Sequence, residues 1–325
     1  MSGSAATPCG SEGPQDSTMR ARSGRIARPE SQRSGSPISG GVSQSLAYLG
    51  HEVVGSCGMA TESPRYAGAL VTGGGSGIGR ALVSELLARG VPVMAAALDD
   101  AELVSLRAEG GGRLATYAVD LTREGAVDEL LAACEAAGIE VELLVNCAGV
   151  GLFGEHVEID RAALRRMITL NATALSDLCA VVGGKLRARG RGAILNVAST
   201  ASFQPLPRLA AYAASKHFVA ALSEALAEEL APYGVQVSVL HPGTTRTAFL
   251  AGAGIAATAD ARGIGRIADR VAMDPSEVAA AAVEGLYRGE RRIVPGLGNR
   301  AHDLARRVVP RALLSRIFGR LGRSE

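Results

Sequence analysis

Tyr212 and Lys216 stand four residues apart in an alanine-rich stretch, a spacing that puts both side chains on one face of a helix. A phenol with its ordinary pKa of about 10 is a poor acid or base at neutral pH. A neighbouring ammonium favours the phenolate and lowers that value. Such a tyrosine could hand a proton to a carbonyl oxygen or take one from an alcohol. Ser199 lies thirteen residues earlier, directly after the apolar run 193–198, and its hydroxyl could stabilise charge on the same oxygen. Far upstream, Thr72-Gly73-Gly74-Gly75-Ser76-Gly77-Ile78-Gly79-Arg80 joins an apolar run to an amphipathic one. Residues without Cβ let the backbone turn sharply and approach a pyrophosphate, and the N-terminus of the next helix supplies N–H donors. Singly, each pattern has a bland reading, a surface Tyr-x-x-x-Lys pair or a tight turn.

Other chemistries find little footing. His51, His156, His217, His241 and His302 have no metal-ligand spacing, so no metal is expected. Ser199 is not in a G-x-S-x-G elbow. The cysteines Cys9, Cys57, Cys134, Cys147 and Cys179 contain no C-x-x-C, which argues against a disulfide framework or zinc site and for a reducing cytoplasm. Cys134, Cys147 and Cys179 read as small buried apolar residues.

The elements that must position these residues follow from the alternation of short apolar runs and amphipathic stretches. Strands are expected at 67–71, 91–97, 114–119, 142–146, 193–198, 235–240 and 292–294, and helices at 78–89, 123–137, 161–189, 210–230 and 276–287. Asp274-Pro275-Ser276-Glu277 opens the last helix with an N-cap, a first-turn proline and a reciprocal acid. Strands apolar on both faces, alternating with helices, predict an α/β fold: one doubly wound, Rossmann-type parallel sheet of about seven strands with helices on both faces, in a single domain. Ligands bind such sheets at the carboxyl ends of the strands.

Composition sets the boundaries. The chain has 325 residues, of which 41 are Gly and none Trp; 47% are hydrophobic and 20% charged. That is enough apolar material for a globular core. The net charge of +2 gives no reason to expect nucleic acid. It is the sum of +1 over 1–58, −5 over 59–289 and +6 over 290–325. Residues 1–58 hold 10 Gly, 12 Ser and 4 Pro and read as a disordered extension. Met59 stands within ten residues of the first strand, so translation is expected to start there. Residues 59–295 form the expected catalytic domain, and 296–325 a basic tail. In that tail Leu313, Leu314, Ile317, Phe318 and Leu321 recur at helical spacing opposite Arg316, Arg320 and Arg323. Such a helix, within 300–323, could meet an anionic membrane peripherally, or dock on the body or a second subunit.

The order T-G-x-x-x-G-x-G, Asp120-Leu121, Asn146-Cys147-Ala148-Gly149, Asn171, Ser199, Tyr212-x-x-x-Lys216 and Pro242-Gly243 resembles the short-chain dehydrogenase/reductase family over roughly residues 65–295. The resemblance implies that Gly73, Gly75, Ser76, Gly77, Ile78 and Gly79 hold the pyrophosphate of NAD or NADP, and that Asp120 and Leu121 meet the adenine. It implies that Asn146, Ala148 and Gly149 stabilise the sheet beside the ribose, although Cys147 replaces the family's second Asn. Tyr212 becomes the proton carrier, Ser199 its partner at the substrate oxygen, and Lys216 a holder of the nicotinamide ribose. Asn171 would hold a water linking Lys216 to solvent. Pro242, Gly243, Thr245 and Thr247 would lie beside the carboxamide. Residues 248–272 would cover the substrate, with Phe203, Leu206 and Phe153 making the pocket apolar.

The choice between NAD and NADP stays open. Ala97 stands where a carboxylate would bond the ribose 2′-OH, Asp99 comes two residues late, and neither Ser76 nor Leu98 is the Arg of NADP-preferring relatives. The expected function is an NAD(P)-dependent oxidoreductase interconverting a small alcohol and a carbonyl compound, in a cytoplasmic homo-oligomer. The alternatives are a catalytically silent nucleotide-binding scaffold or redox sensor, and dehydratase or epimerase chemistry on the same site.

Overall fold

Runs such as Ala69-Leu70-Val71-Thr72 and Leu143-Leu144-Val145-Asn146 have no charge to expose, and in the computed structural model both become fully buried strands at the centre of one sheet. The structure describes residues 65–247, 249, 253 and 272–305. The expected extension 1–58, the amphipathic helix beyond Pro310 and most of 248–272 lie outside the described residues.

The strands are β1 (Ala69–Thr72), β2 (Val93–Ala97), β3 (Leu114–Ala118), β4 (Leu143–Asn146), β5 (Gly192–Val197), β6 (Val235–Leu240) and β7 (Arg292–Ile293). They pair in parallel in the order β3-β2-β1-β4-β5-β6-β7. All seven expected strands are present, with ends shifted by no more than two residues.

Strand residues alternate between two cores. Leu70, Leu144 and Ile194 pack with Leu130 of α3 (Ala126–Ala136) and with Leu178, Val182 and Leu186 of α5 (Leu175–Arg189). Val71, Val145 and Leu195 face the other way, onto Leu82 and Leu86 of α1 (Gly77–Ala88) and Val278, Val283 and Leu286 of α7 (Pro275–Tyr287). The N-cap of α7 is the expected capping box, with Asp274 N donating to Glu277 Oε2 at 3.3 Å. Every described element belongs to one compact unit.

Three features depart from the sequence reading. First, the expected helix 161–189 is present but not regular throughout: α4 (Arg161–Ile168) passes through a π turn, Thr169–Ala174, into α5. By length and composition alone Arg161–Arg189 could cross a membrane, but α5 buries Leu175, Leu178, Val182 and Leu186 in the core. Second, α2 (Asp100–Gly110) was not anticipated, because only Leu103 and Leu106 of its eleven residues are buried and no apolar stripe marks it. Third, α8 (Leu297–Ala305) continues past the expected domain end at 295. The α6 helix (Ala210–Leu230) matches expectation residue for residue.

The chain steps outward from β1 to β3 and then returns to β4 on the other side of β1. The crevice at that reversal, at the carboxyl ends, is where such sheets take ligands.

Candidate active site

A cavity of about 790 Å³ opens at these carboxyl ends, a volume in the range of cofactor and substrate sites. Its floor begins at the β1–α1 loop. Gly73 (φ +66°) and Gly77 (φ +52°) are left-handed, a conformation costly for any residue with a Cβ. A Cβ on Gly73 would stand 2.9 Å from Ala148 N, and one on Gly79 would overlap the Gly73 carbonyl. The glycines therefore let the loop fold flat against β4 and start α1 with its N–H groups toward the cavity. Thr72 fixes the neighbouring loop: its Oγ1 accepts from Cys147 N at 3.1 Å and Ala148 N at 3.2 Å. The departure at Cys147 thus leaves the backbone bonded through Thr72. Burial pushes the Cys147 thiol up to about 11.

Ser199, Tyr212 and Lys216 all line the cavity. Ser199 follows β5 and caps a short 3-10 turn, its Oγ accepting from Ala201 N at 3.0 Å. With that bond accepted, the hydroxyl proton remains to be donated. Ser202 Oγ donates to Ser199 O at 2.6 Å and lies 2.9 Å from His241 Nδ1. With Ser202 donating, the His241 proton is assigned to Nδ1. This Ser202–His241 support was not foreseen, because residues 39 apart in sequence meet only through the pairing of β5 with β6.

Burial raises Tyr212 to about 12, while a hydrogen bond with the Ser199 side chain pulls the other way. Burial also lowers Lys216 to about 8. Lys216 Nζ donates to Val197 O at 2.8 Å and lies 6.0 Å from the Tyr212 ring centre. Burial is the largest influence on Tyr212, ahead of the Ser199 hydrogen bond and Cys147.

Asn171 sits in the π turn, fully buried behind the cavity rather than on it. Its Oδ1 accepts from Val150 N at 3.0 Å, and its Nδ2 donates to Val150 O at 2.9 Å and Ser215 Oγ at 3.1 Å. The Ser215 hydroxyl donates to Tyr212 O at 2.7 Å. The side chain thus ties the loop after β4 to the turn of α6 that carries Tyr212. A Cβ on Gly149 would lie 3.1 Å from Asn171 Oδ1 and 3.4 Å from Lys216 Nζ.

Of the expected cofactor residues, Gly73, Ser76, Gly77, Ile78, Gly79, Asp120, Leu121, Ala148, Gly149, Pro242, Gly243, Thr245 and Thr247 line the cavity. Asn146 stands below it, its Nδ2 donating to Asn196 Oδ1 at 2.9 Å, which joins β4 to β5. Asp120 is already engaged: Oδ1 accepts from Thr122 N and Oγ1, and Oδ2 pairs with Arg166 at 3.0 Å. Burial pushes its carboxyl up, but those donors outweigh it and hold it below the ordinary range. Asp99 does not reach the cavity. It is exposed and caps α2, accepting from Ala101 N at 2.9 Å. Glu102, one turn on, lines the wall instead.

On the substrate side Phe153 and Leu206 line the cavity, but Phe203 does not. It is buried behind, 5.0 Å from His241 and 5.5 Å from His302, with Arg292 over its ring. The lining there is mainly apolar, with Val150, Leu209 and Phe249 beside Phe153 and Leu206, and Gln204 and Arg208 add polar groups. The Gln204 amide is 2% exposed, and its Oε1 has no hydrogen-bond partner among the described residues. Asn299 and His302 of α8 close one end, with Asn299 packed where a Cβ of Gly243 would be. No group of metal-ligating side chains occurs among the described residues.

A doubly wound parallel sheet whose first strand feeds a glycine cradle at the switch point defines a dinucleotide-binding α/β protein. Comparison with known proteins narrows the class. The family model described as short chain dehydrogenase matches residues 67–255, and the chain belongs to that family. It is 34% identical over 182 residues to 2-keto-3-deoxy-L-fuconate dehydrogenase of Xanthomonas campestris, covering 56% of this chain and 59% of that relative. A short-chain dehydrogenase from Sphingobium yanoikuyae, solved with NADPH, superposes with a TM-score of 0.64 at 31% identity over 76% of this chain and 94% of that one. One from Burkholderia phymatum, solved with NAD, gives 0.63 at 27% identity over 70% and 89%.

Proposed function

We propose that this chain is an NAD(P)-dependent oxidoreductase that interconverts a small alcohol and a carbonyl compound, with Tyr212 as the acid and base. The observation that carries the reading is that Ser199, Tyr212 and Lys216 line the same cavity as the glycine cradle. The cradle fits a dinucleotide because a Cβ at Gly73 or Gly79 would collide with Ala148 or with the Gly73 carbonyl and open the tight turn that would hold the pyrophosphate. The relatives solved with NADPH and with NAD support the same cofactor class. A bound nicotinamide dinucleotide supplies or accepts the hydride and, when oxidised, brings a positive charge.

The protein's own groups manage the proton. Tyr212, at about 12, holds its proton throughout the working pH range and is poised to donate to a carbonyl oxygen. Ser199, accepting from Ala201 N, donates to that same oxygen and steadies the developing charge. Lys216, held through Val197 O, would offer its remaining N–H groups to the ribose hydroxyls of the nicotinamide side. In the alcohol-oxidising direction Tyr212 must first lose its proton, so that direction gains from added positive charge and from higher pH. A small polar carbonyl compound suits a lining that mixes Phe153 and Leu206 with Gln204 and Arg208. The free thiols of Cys134 and Cys179, both buried, and of the half-buried Cys147 suit a cytoplasmic setting.

Alcohols and ketones screened with both dinucleotides should reveal turnover. Tyr212→Phe should cut it by roughly 10²- to 10⁴-fold while leaving dinucleotide affinity within a few-fold. Full turnover by Tyr212→Phe would remove the mechanism, and nucleotide binding without turnover on any substrate would favour the scaffold.

A further inference from the structure

The sequence leaves the cofactor preference open because the end of β2 carries Ala97 where an acid is expected, and the nearby Asp99 is committed to Ala101 N. The fold fills that gap from another element. Glu102, in the first turn of α2, reaches back over the β1–α1 loop. A Cβ built on Gly75 would lie 2.7 Å from Glu102 Cβ, 3.0 Å from Glu102 Oε2 and 3.1 Å from Ala97 Cβ. The carboxylate therefore stands between the glycine cradle and the carboxyl end of β2. That is the stretch of wall against which the adenosine ribose of a dinucleotide falls.

Ser76, Ala97 and Leu98, which line the cavity with Glu102, are uncharged. Two arginines of neighbouring elements are engaged elsewhere. Arg80 donates to Ser105 Oγ at 2.6 Å and Glu109 Oε1 at 2.8 Å, and Arg166 pairs with Asp120. A carboxylate facing two ribose hydroxyls accepts hydrogen bonds. The same carboxylate facing a 2′-phosphate opposes a like charge, which disfavours NADP.

We propose that Glu102 is the residue that selects NAD over NADP in this protein, replacing from helix α2 the acid missing at the end of β2. This rests on the dinucleotide site of the proposed function. Its test is equilibrium binding, by titration calorimetry of the full chain with NADH and with NADPH and no substrate present. The wild type should bind NADH about tenfold or more tighter than NADPH. Glu102→Gln should shrink that ratio about tenfold, chiefly by strengthening NADPH. Asp99→Asn should leave the ratio unchanged. Wild type binding NADPH as tightly as NADH would overturn the inference and keep the cofactor site. So would a ratio that moves with Asp99→Asn and not with Glu102→Gln. Failure of both dinucleotides to bind would overturn the cofactor site itself, and this inference with it.

Discussion

A lysine amine that is 5% exposed and donates to one backbone oxygen has given up most of its hydration, and its pKa falls from 10.5 to about 8. The consequence is a measurable link between pH and stability. Between about pH 8 and 10.5 the unfolded chain holds this proton and the native protein does not, so the Lys216 contribution to stability rises with pH; below pH 8 the full penalty of burying the charge is carried. Tyr212 and the thiols of Cys134, Cys147 and Cys179 have raised values and act oppositely at high pH, so the clean observable is a difference. Lys216→Met should gain about 2 kcal/mol relative to wild type on going from pH 9.5 to pH 7, read from urea midpoints of the protein without nucleotide. A difference independent of pH would mean that Lys216 stays fully charged. Tyr212, Lys216 and Ser199 stood out in the sequence through their spacing together with the family resemblance, and the structure brings all three to one cavity. Their environment was not legible there, because burial depends on what packs around them.

At the scale of elements, the glycine cradle and the π turn do the positioning. A methyl group at Gly79 would overlap the Gly73 carbonyl, and neither backbone segment can move without disturbing β1 or α1. Gly79→Ala should therefore cost roughly 1–3 kcal/mol of stability and weaken NADH binding at least tenfold, measured by thermal melting and calorimetry; unchanged binding would show that the loop does not meet the pyrophosphate. The seven strands and most helices could be placed from hydrophobic pattern because a strand covered on both faces has no freedom to be polar. The α2 helix escaped for the opposite reason, since only Leu103 and Leu106 anchor it and its outer face reads like a loop. With it escaped Glu102, whose sequence position gives no hint that it reaches Gly75. The π turn escaped because one wide turn does not disturb the apolar period enough to be seen, yet it lets Asn171 bridge Val150 and Ser215.

Across the whole molecule, α8 joins the site to the start of the basic tail. Asn299 packs on Gly243 and donates to Pro295 O at 2.8 Å, and His302 lines the cavity. A chain ending at Pro295 should lose this wall. We expect its KM for substrate to rise about tenfold and its melting temperature to fall by several degrees, as loss of roughly 1 kcal/mol or more would give. In liposome co-sedimentation, reduced partitioning of the truncated chain relative to the full one would locate membrane contact in the tail, and equal partitioning would remove that role. The sequence by itself determined the order of strands and helices, the glycine cradle and the Ser-Tyr-Lys set. These are written in residue type and short-range spacing, and a local backbone requirement or a helical turn reads them directly. Only the tertiary structure decided that Glu102 and not Asp99 borders the cavity, that Phe203 supports His241 instead of lining the pocket, that Ser202 and His241 brace Ser199, and that Tyr212 and Lys216 are buried. Each of these depends on which side chains from distant segments share one small volume, and on how much water that volume excludes.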